Sequence, residues 1–368
     1  MQIDASVLKK EEKVVFTLRS LYEKYGFNQY KMSKFEEYDL YVKNKDFLVS
    51  DNIITFTDTD GKLLALKPDV TLSIIKNTNE SKSTVEKVYY NENVYRVSKG
   101  TESYKEIMQV GLECIGDIDD FNIYETLMLA CESLKSISQD FVLDISHMGI
   151  VSEIIESFGV SRSVEKALLK CIGEKNIHGI KEICKNEGID GTKLEKLVSL
   201  YGNPQKVITE LKRICQGESL NQLTYIVSEL CKNGYQDSVR IDFSVINDMS
   251  YYNGFVFKGF INGISAGVLS GGQYDNLMLK MRKKAKAVGF AVYLDMLERL
   301  EINDKEYDVD ALILYDESTN LSALNDAIKL LAESGKSVAA QKNVPEKLKY
   351  RQLLRLKERG VEIIENNA

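Results

Sequence analysis

The sequence predicts an α+β fold: an antiparallel sheet with flanking helices, a helical insertion, and a small C-terminal α/β domain. Three observations carry this. Two long strand-like runs, 88–97 and 107–116, flank a polar loop and read as an antiparallel pair. From 151 to 235 the pattern turns almost wholly helical, with Leu200–Pro204 as its one strong breaker. Beyond 308, strand-like and helix-like stretches alternate in a β-α-β-α-β rhythm. The implied organisation is a discontinuous core (1–150 and 236–303), an insertion (151–235) and a C-terminal domain (304–368).

Taken in order, Val14, Leu18, Leu21, Tyr22 and Tyr25 recur at helical spacing, and Gly26 is placed to end that helix. Short extended pieces are expected at 27–32 and 37–42. The runs 53–57 and 62–66 flank Asp-Thr-Asp-Gly, a hairpin signal. Pro68 then marks a helix start that Asp69 can cap. After the strand pair come a helix at 120–137 and a strand at 141–145. Strands resume at 238–245 and 254–261, a loop is expected at 270–275 and a helix at 288–300, with Phe290, Leu294 and Leu297 as its apolar face. The last domain reads as strands 311–315, 337–340 and 361–365 with helices at 324–335 and 350–360.

Composition narrows the function. The 368 residues carry 48 basic and 55 acidic side chains, a net charge of −7, with Lys280–Lys286 as the nearest approach to a basic block. A grip on a long phosphate backbone needs more positive charge than this, so nucleic acid is not expected as a partner. That basic run reads as a solvated loop. No stretch approaches a membrane span and the N-terminus lacks the apolar run of a signal peptide, so a cytoplasmic protein is expected. The six cysteines (114, 131, 171, 184, 215 and 231) form no C-x-x-C pair, and the two histidines stand at 147 and 178. Neither a zinc site nor a disulfide framework fits, and no metal or cofactor is expected. The cysteines read as core filling, His147 as structural and His178 as a surface residue.

Generic nucleotide and hydrolase motifs are absent. What remains is a set of polar residues spread over strands. Arg96 interrupts a run of Val and Tyr, and Gln109 and Glu113 stand four apart on one strand, hence on one face. Asp69 and Thr71 start a helix; Tyr251, Tyr252 and Tyr274 lie beside glycines. Acid for an ammonium, guanidinium for a carboxylate and phenol with carboxyl for an imidazole could together hold a small zwitterion. The same residues could equally be ordinary sheet-edge polar groups.

Six segments then occur in order: LALKPDVT (64–71), VYR (94–96), EIMQVGLECIG (106–116), MSYYNGFVF (249–257), SGGQYD (270–275) and AVGFAVYL (287–294). Together they resemble the catalytic domain of histidyl-tRNA synthetases, a class II aminoacyl-tRNA synthetase-like fold, over residues 8–300. FEEYDLY (35–41) is similar to the segment after that family's first motif, and 151–235 falls where the synthetases carry an insertion. The resemblance implies that Asp69, Thr71, Arg96, Gln109, Glu113, Tyr251, Tyr252 and Tyr274 bind histidine, with Asp69 in place of a glutamate. Gly271 and Gly272 imply a tight backbone path beside them.

The departures fall on the ATP side. Met296 stands where the family's third motif has an ATP-contacting arginine, and Asn247 where a histidine-specific arginine precedes the Tyr-Tyr element. Ser98, Ile107, Gln273 and Ser33 replace a second-motif acid, an adenine-stacking Phe, an arginine and the first-motif proline. A nucleotidyl transfer that loses such cations forfeits several kcal/mol of transition-state stabilisation, about 3–4 for a single donor. The pattern resembles the regulatory subunits of ATP phosphoribosyltransferase, in which no catalytic residue is expected. That resemblance implies a short-form catalytic subunit as partner in a hetero-octamer, self-association as a class II-like dimer, and L-histidine as feedback ligand in the first step of histidine biosynthesis. A divergent histidyl-tRNA synthetase, or a synthetase paralogue acting on another acceptor, are the alternatives.

Overall fold

The computed structural model describes residues 8–45, 48, 53–78, 84–97, 103–245, 252–300, 306–357 and 360–367. The chain divides into two compact units, Met1–Leu300 and Glu301–Ala368.

The first unit is organised on a nine-stranded sheet. In chain order the strands are β1 (Asn28–Gln29), β2 (Phe35–Glu37), β3 (Thr55–Thr57), β4 (Leu63–Leu66), β5 (Glu86–Val97), β6 (Tyr104–Gly116), β7 (Phe141–His147), β8 (Tyr201–Gly202), β9 (Val239–Asp242), β10 (Phe255–Ile261), β11 (Leu269–Gln273) and β12 (Lys286–Tyr293). The sheet order is β1-β5-β6-β12-β11-β10-β7-β9-β8, while β2-β4-β3 form a small separate sheet. All contacts from β5 through β7 are antiparallel. Among the described strands of this sheet, β1–β5 and β7–β9 are the pairs that run parallel.

The two faces of this sheet differ in chemistry. One face aligns Tyr89, Leu112, Phe290, Gly271, Phe257 and Ile145 in register. It packs under the helices Lys10–Lys24 and Asp120–Ile137 as the main core. Helix Lys10–Lys24 buries Val14, Val15, Leu18 and Tyr22 there, and the Tyr22 ring meets Phe290 edge-on at 6.1 Å. Gly26, at φ +81°, terminates that helix in a conformation costly to other residues. The other face aligns Val88, Glu113, Gly289, Gly272, Val256 and Ser146. Glycines here give the space above the strands to larger side chains, Gly289 to Glu113 and Gly272 to Tyr252.

The insertion is helical from Met148–Glu156 through Glu218–Leu230, with Ser161, Asn176 and Asn203 capping the helices Arg162–Gly173, Ile177–Glu187 and Pro204–Ile214. Its breaker does two things: Tyr201–Gly202 pairs with β9, and Pro204 opens the next helix at its first turn. Among the described residues no helix is long and apolar enough to cross a membrane.

The second unit holds β13 (Val309–Leu314), β14 (Val338–Gln341), β15 (Tyr350–Lys357) and β16 (Gly360–Asn366) in the order β14-β13-β15-β16. Helix Leu321–Glu333 covers Ala311, Ile313 and Leu354.

Four local expectations are corrected. Residues 288–293, the first half of the helix expected at 288–300, lie in the central strand β12; within that span Leu294–Leu300 alone is helical, as a 3₁₀ segment. The Ala287–Val292 run is apolar because neighbours cover both faces, and a doubly buried strand has no alternation to display. Residues 270–273 of the loop expected at 270–275 belong to strand β11, because the glycines that suggested a turn lie flat in the sheet. Residues 350–357 form β15 rather than a helix: Leu354 and Leu356 alternate onto the helix-covered face, although Arg, Leu and Lys favour helix. Tyr38–Val42 is a short helix instead of an extended piece, and it buries Tyr41.

Candidate functional site

Glu113 is the centre of the site. It is 2% exposed on β6, its Oε1 accepts from Thr71 Oγ1 at 2.9 Å, and its Oε2 accepts from Tyr274 Oη at 2.5 Å. Burial pushes its carboxyl up to about 8, with Asp69 adding repulsion and the two donors opposing. Its carboxylate lies directly over Gly289, its in-register partner on β12, in the space a Cβ there would occupy. Gly272 likewise makes room for the Tyr252 ring, and Gly111 for the Tyr90 hydroxyl.

Thr71 opens helix Thr71–Asn77, and Asp69 caps the turn before it by accepting from Leu72 N at 3.0 Å. The sequence reading places Asp69 as the cap itself; the structure puts Val70 at that position with no side-chain bond, and Asp69 one residue earlier. Asp69 is half-buried, and desolvation raises its carboxyl while Arg96 and the backbone donors oppose the shift. Arg96 reaches across from β5 and donates from Nε to Pro68 O at 3.0 Å. Gln109, 3% exposed, shares the face of Glu113 two repeats along, with Gly111 between them, as its four-residue spacing requires.

The structure therefore brings Asp69, Thr71, Arg96, Gln109, Glu113, Tyr252 and Tyr274 to one face of the sheet. Tyr251 and Asn247 lie outside the described residues, as does Ser98. Loop positions are fixed by a reciprocal pair: Asn253 Nδ2 donates to Asp275 Oδ2 at 3.0 Å, and Asp275 N donates to Asn253 Oδ1 at 2.8 Å. That exchange ties the segment bearing Tyr252 to the one bearing Tyr274.

Sequence reasoning missed two members. Tyr90 is buried on β5 close to Glu113, Asp69 and Tyr252, and its phenol is raised well above the usual range, first by burial and then by the carboxylates. Tyr293, in register with Gln109, stands within hydrogen-bonding reach of Arg96; burial raises its phenol and Arg96 opposes. Tyr90 shares period-two spacing with Arg96 and was detectable on that ground. Tyr293 was hidden by the helical reading of β12.

The positions that departed from the synthetase pattern are occupied by packing and structural bonds. Met296 packs against the main core and Ile107 against the second apolar cluster. Gln273 is 7% exposed, and its Oε1 accepts from Phe255 N at 2.8 Å. Replacing Gln273 with Leu would strand that buried amide and is expected to cost about 1–3 kcal/mol in urea unfolding. An unchanged midpoint would contradict this role. His147 lies off the pocket: its Nε2 pairs with Gln222 Oε1 at 3.1 Å, its ring meets Phe255 edge-on at 4.8 Å, and burial keeps it neutral by lowering its pKa. His178 is exposed.

Comparison with known proteins places this geometry. The family model described as Histidyl-tRNA synthetase matches residues 3–297. The chain is 29% identical over 298 residues to the ATP phosphoribosyltransferase regulatory subunit of Oceanobacillus iheyensis, covering 78% of this chain and 73% of that one. It is also 29% identical over 342 residues to the histidine–tRNA ligase of Methanococcus vannielii, covering 88% and 79%. Its fold is similar to a Bacillus halodurans structure described as an ATP phosphoribosyltransferase regulatory subunit/histidyl-tRNA synthetase, with TM-score 0.74, 24% identity and 96% coverage of each chain. It is similar also to a chain of the ATP phosphoribosyl transferase (HisG:HisZ) complex from Thermotoga maritima, with TM-score 0.64, 22% identity, and 78% and 98% coverage. A family match over most of the first unit, on a sheet whose glycine-floored face gathers the motif residues, means that the chain belongs to the histidyl-tRNA synthetase family.

Proposed function

We propose that this chain is a non-catalytic regulatory subunit of ATP phosphoribosyltransferase, required by a short-form catalytic subunit and carrying histidine feedback to it. One contrast within the site carries the reading. The amino-acid side is built, with Glu113 held between Thr71 and Tyr274 and Arg96 beside Asp69, whereas two positions of the ATP side are Met296, half-buried against the core, and Gln273, bonded to the backbone. Neither of these side chains supplies charge to a phosphate, and nucleotidyl transfer depends on such charge. The names of relatives at 28–29% identity, and the complex in which a chain of similar fold occurs, support the same assignment.

In this reading the ligand's ammonium meets Asp69, Thr71 and Gln109. Its carboxylate meets Arg96, and its imidazole lies against Glu113 with Tyr251, Tyr252 and Tyr274 around it. Regulation follows from differential affinity: histidine binds one arrangement of the assembly more tightly and so shifts its population. The assembly is a cytoplasmic hetero-octamer in which this chain pairs as a class II-like dimer.

Co-purification with a short-form phosphoribosyltransferase, assayed with and without histidine, tests the proposal. The expected result is a partner that needs this chain and that histidine inhibits through it. A partner fully active alone and indifferent to this chain would overturn the assignment. Pyrophosphate exchange with histidine and ATP addresses the ligase-like relative, since robust turnover would make the chain a synthetase.

A further inference from the structure

Lys67 is the least expected charge in the first unit. Its side chain has no exposure, yet its Nζ sits 2.6 Å from Glu92 Oε2, which is itself only 18% exposed. Burial lowers the Lys67 ammonium despite the attraction of Glu92 and Glu36, with Lys34 adding repulsion. An ion pair in such a place seldom stabilises a fold more than well-packed apolar residues would, because desolvation offsets the attraction. Stability alone therefore does not account for it.

Its connections do. Lys67 and Pro68 precede Asp69 in the segment between β4 and helix Thr71–Asn77, while Glu92 lies on β5, in register with Gln109 and four residues before Arg96. Three contacts staple these two pieces of chain: Lys67 Nζ to Glu92, Tyr95 N donating to Lys67 O at 2.9 Å, and Arg96 Nε donating to Pro68 O at 3.0 Å. The ion pair is the only one of the three made wholly by side chains that stand outside the ligand-contacting set.

We propose that Lys67 and Glu92 are positioning residues that fix the spacing between the acid that takes the ligand's ammonium, Asp69, and the guanidinium that takes its carboxylate, Arg96. The inference rests on the reading of this face as an amino-acid pocket. Removing one partner leaves a buried charge uncompensated and frees the loop, so both anchors lose their alignment. Replacing both with apolar residues removes the buried charges but also the geometric link. The two kinds of variant therefore separate a structural role from a positioning one.

The test uses the full chain and titration with L-histidine and with L-histidinol, which lacks the carboxylate, alongside thermal unfolding. Lys67→Met is expected to lower the midpoint and weaken histidine binding about tenfold or more. Lys67→Arg keeps a cation in reach of Glu92 and retains binding within about threefold of the parent. The double variant Lys67→Met/Glu92→Leu recovers the midpoint but not the affinity, and its preference for histidine over histidinol falls. If that double variant binds histidine as tightly and as selectively as the parent, the pair is structural only and the proposal fails. If the double variant does not recover the midpoint, Lys67→Arg decides: binding lost there as well contradicts positioning by a charge at this site. A parent chain that binds no histidine removes the pocket reading itself, a result distinct from either.

Discussion

Glu113→Gln is expected to weaken histidine binding about 100-fold and, in the same protein without ligand, to raise the unfolding midpoint above pH 7. Both effects come from one buried carboxyl. Its pKa is raised from 4.5 to about 8 in the fold, first by burial. Between those two values the folded protein holds a proton that the unfolded chain has released. Stability contributed by this group is therefore fully present below about pH 4.5 and is lost as pH rises towards 8. From pH 4.5 to pH 8 such a group costs on the order of 5 kcal/mol, taking about 1.4 kcal/mol per pH unit. Glutamine has no proton to lose, still accepts from Thr71 Oγ1 or Tyr274 Oη, and flattens that slope. It cannot offer the ligand's ring a carboxylate. Thermal melts of parent and variant from pH 5 to 9, with calorimetric titration at pH 7.5, check both halves. Equal pH slopes in the two proteins would show that Glu113 does not carry the titration.

The main architecture was legible where pattern and burial agree. The pair β5–β6 is legible from its Val- and Tyr-rich runs on either side of a polar loop, although its burial runs in blocks rather than alternating; helix Asp120–Ile137 matches its sequence reading to the residue. Legibility failed at β12 for a physical reason. A strand between two other strands, with a core on one side and a pocket floor on the other, shows neither period two nor polar flanks, and Phe290, Leu294 and Leu297 supply a false helical spacing. The site followed the same division. Arg96, Gln109 and Glu113 stand out because a charged or amide residue on a strand of Val, Tyr and Leu has to face something. Lys67 does not stand out, because it looks like a loop lysine and only packing shows that it is buried beside a carboxylate; Tyr90 looks like strand filling, and only its period-two spacing with Arg96 points to the same face. The roles of the glycines were visible only as a tight backbone path. What that path is for becomes clear once Glu113, Tyr252 and Tyr90 are seen lying over Gly289, Gly272 and Gly111.

Gly289→Ala should therefore remove ligand binding as thoroughly as Glu113→Gln while moving stability in the opposite direction. The Gly289 φ is not in the left-handed region, so the reason for glycine is space rather than backbone freedom. An added Cβ would coincide with the Glu113 carboxylate and press on the Leu112 carbonyl oxygen. The carboxylate is the movable obstacle, but moving it breaks the bonds from Thr71 and Tyr274 at a side chain only 2% exposed. The carbonyl belongs to the adjacent central strand and cannot retreat without shifting the β6–β12 ladder. Overpacking of this kind costs about 1–3 kcal/mol, and a displaced buried carboxyl adds to it. The variant is expected to fold with a midpoint several degrees lower, and to give no histidine heat at concentrations that saturate the parent. Its far surfaces are untouched, so co-purification with the catalytic subunit should persist while histidine inhibition is lost. Retained inhibition in the Gly289→Ala assembly would place the feedback ligand somewhere other than over this strand, whatever the thermal melts show.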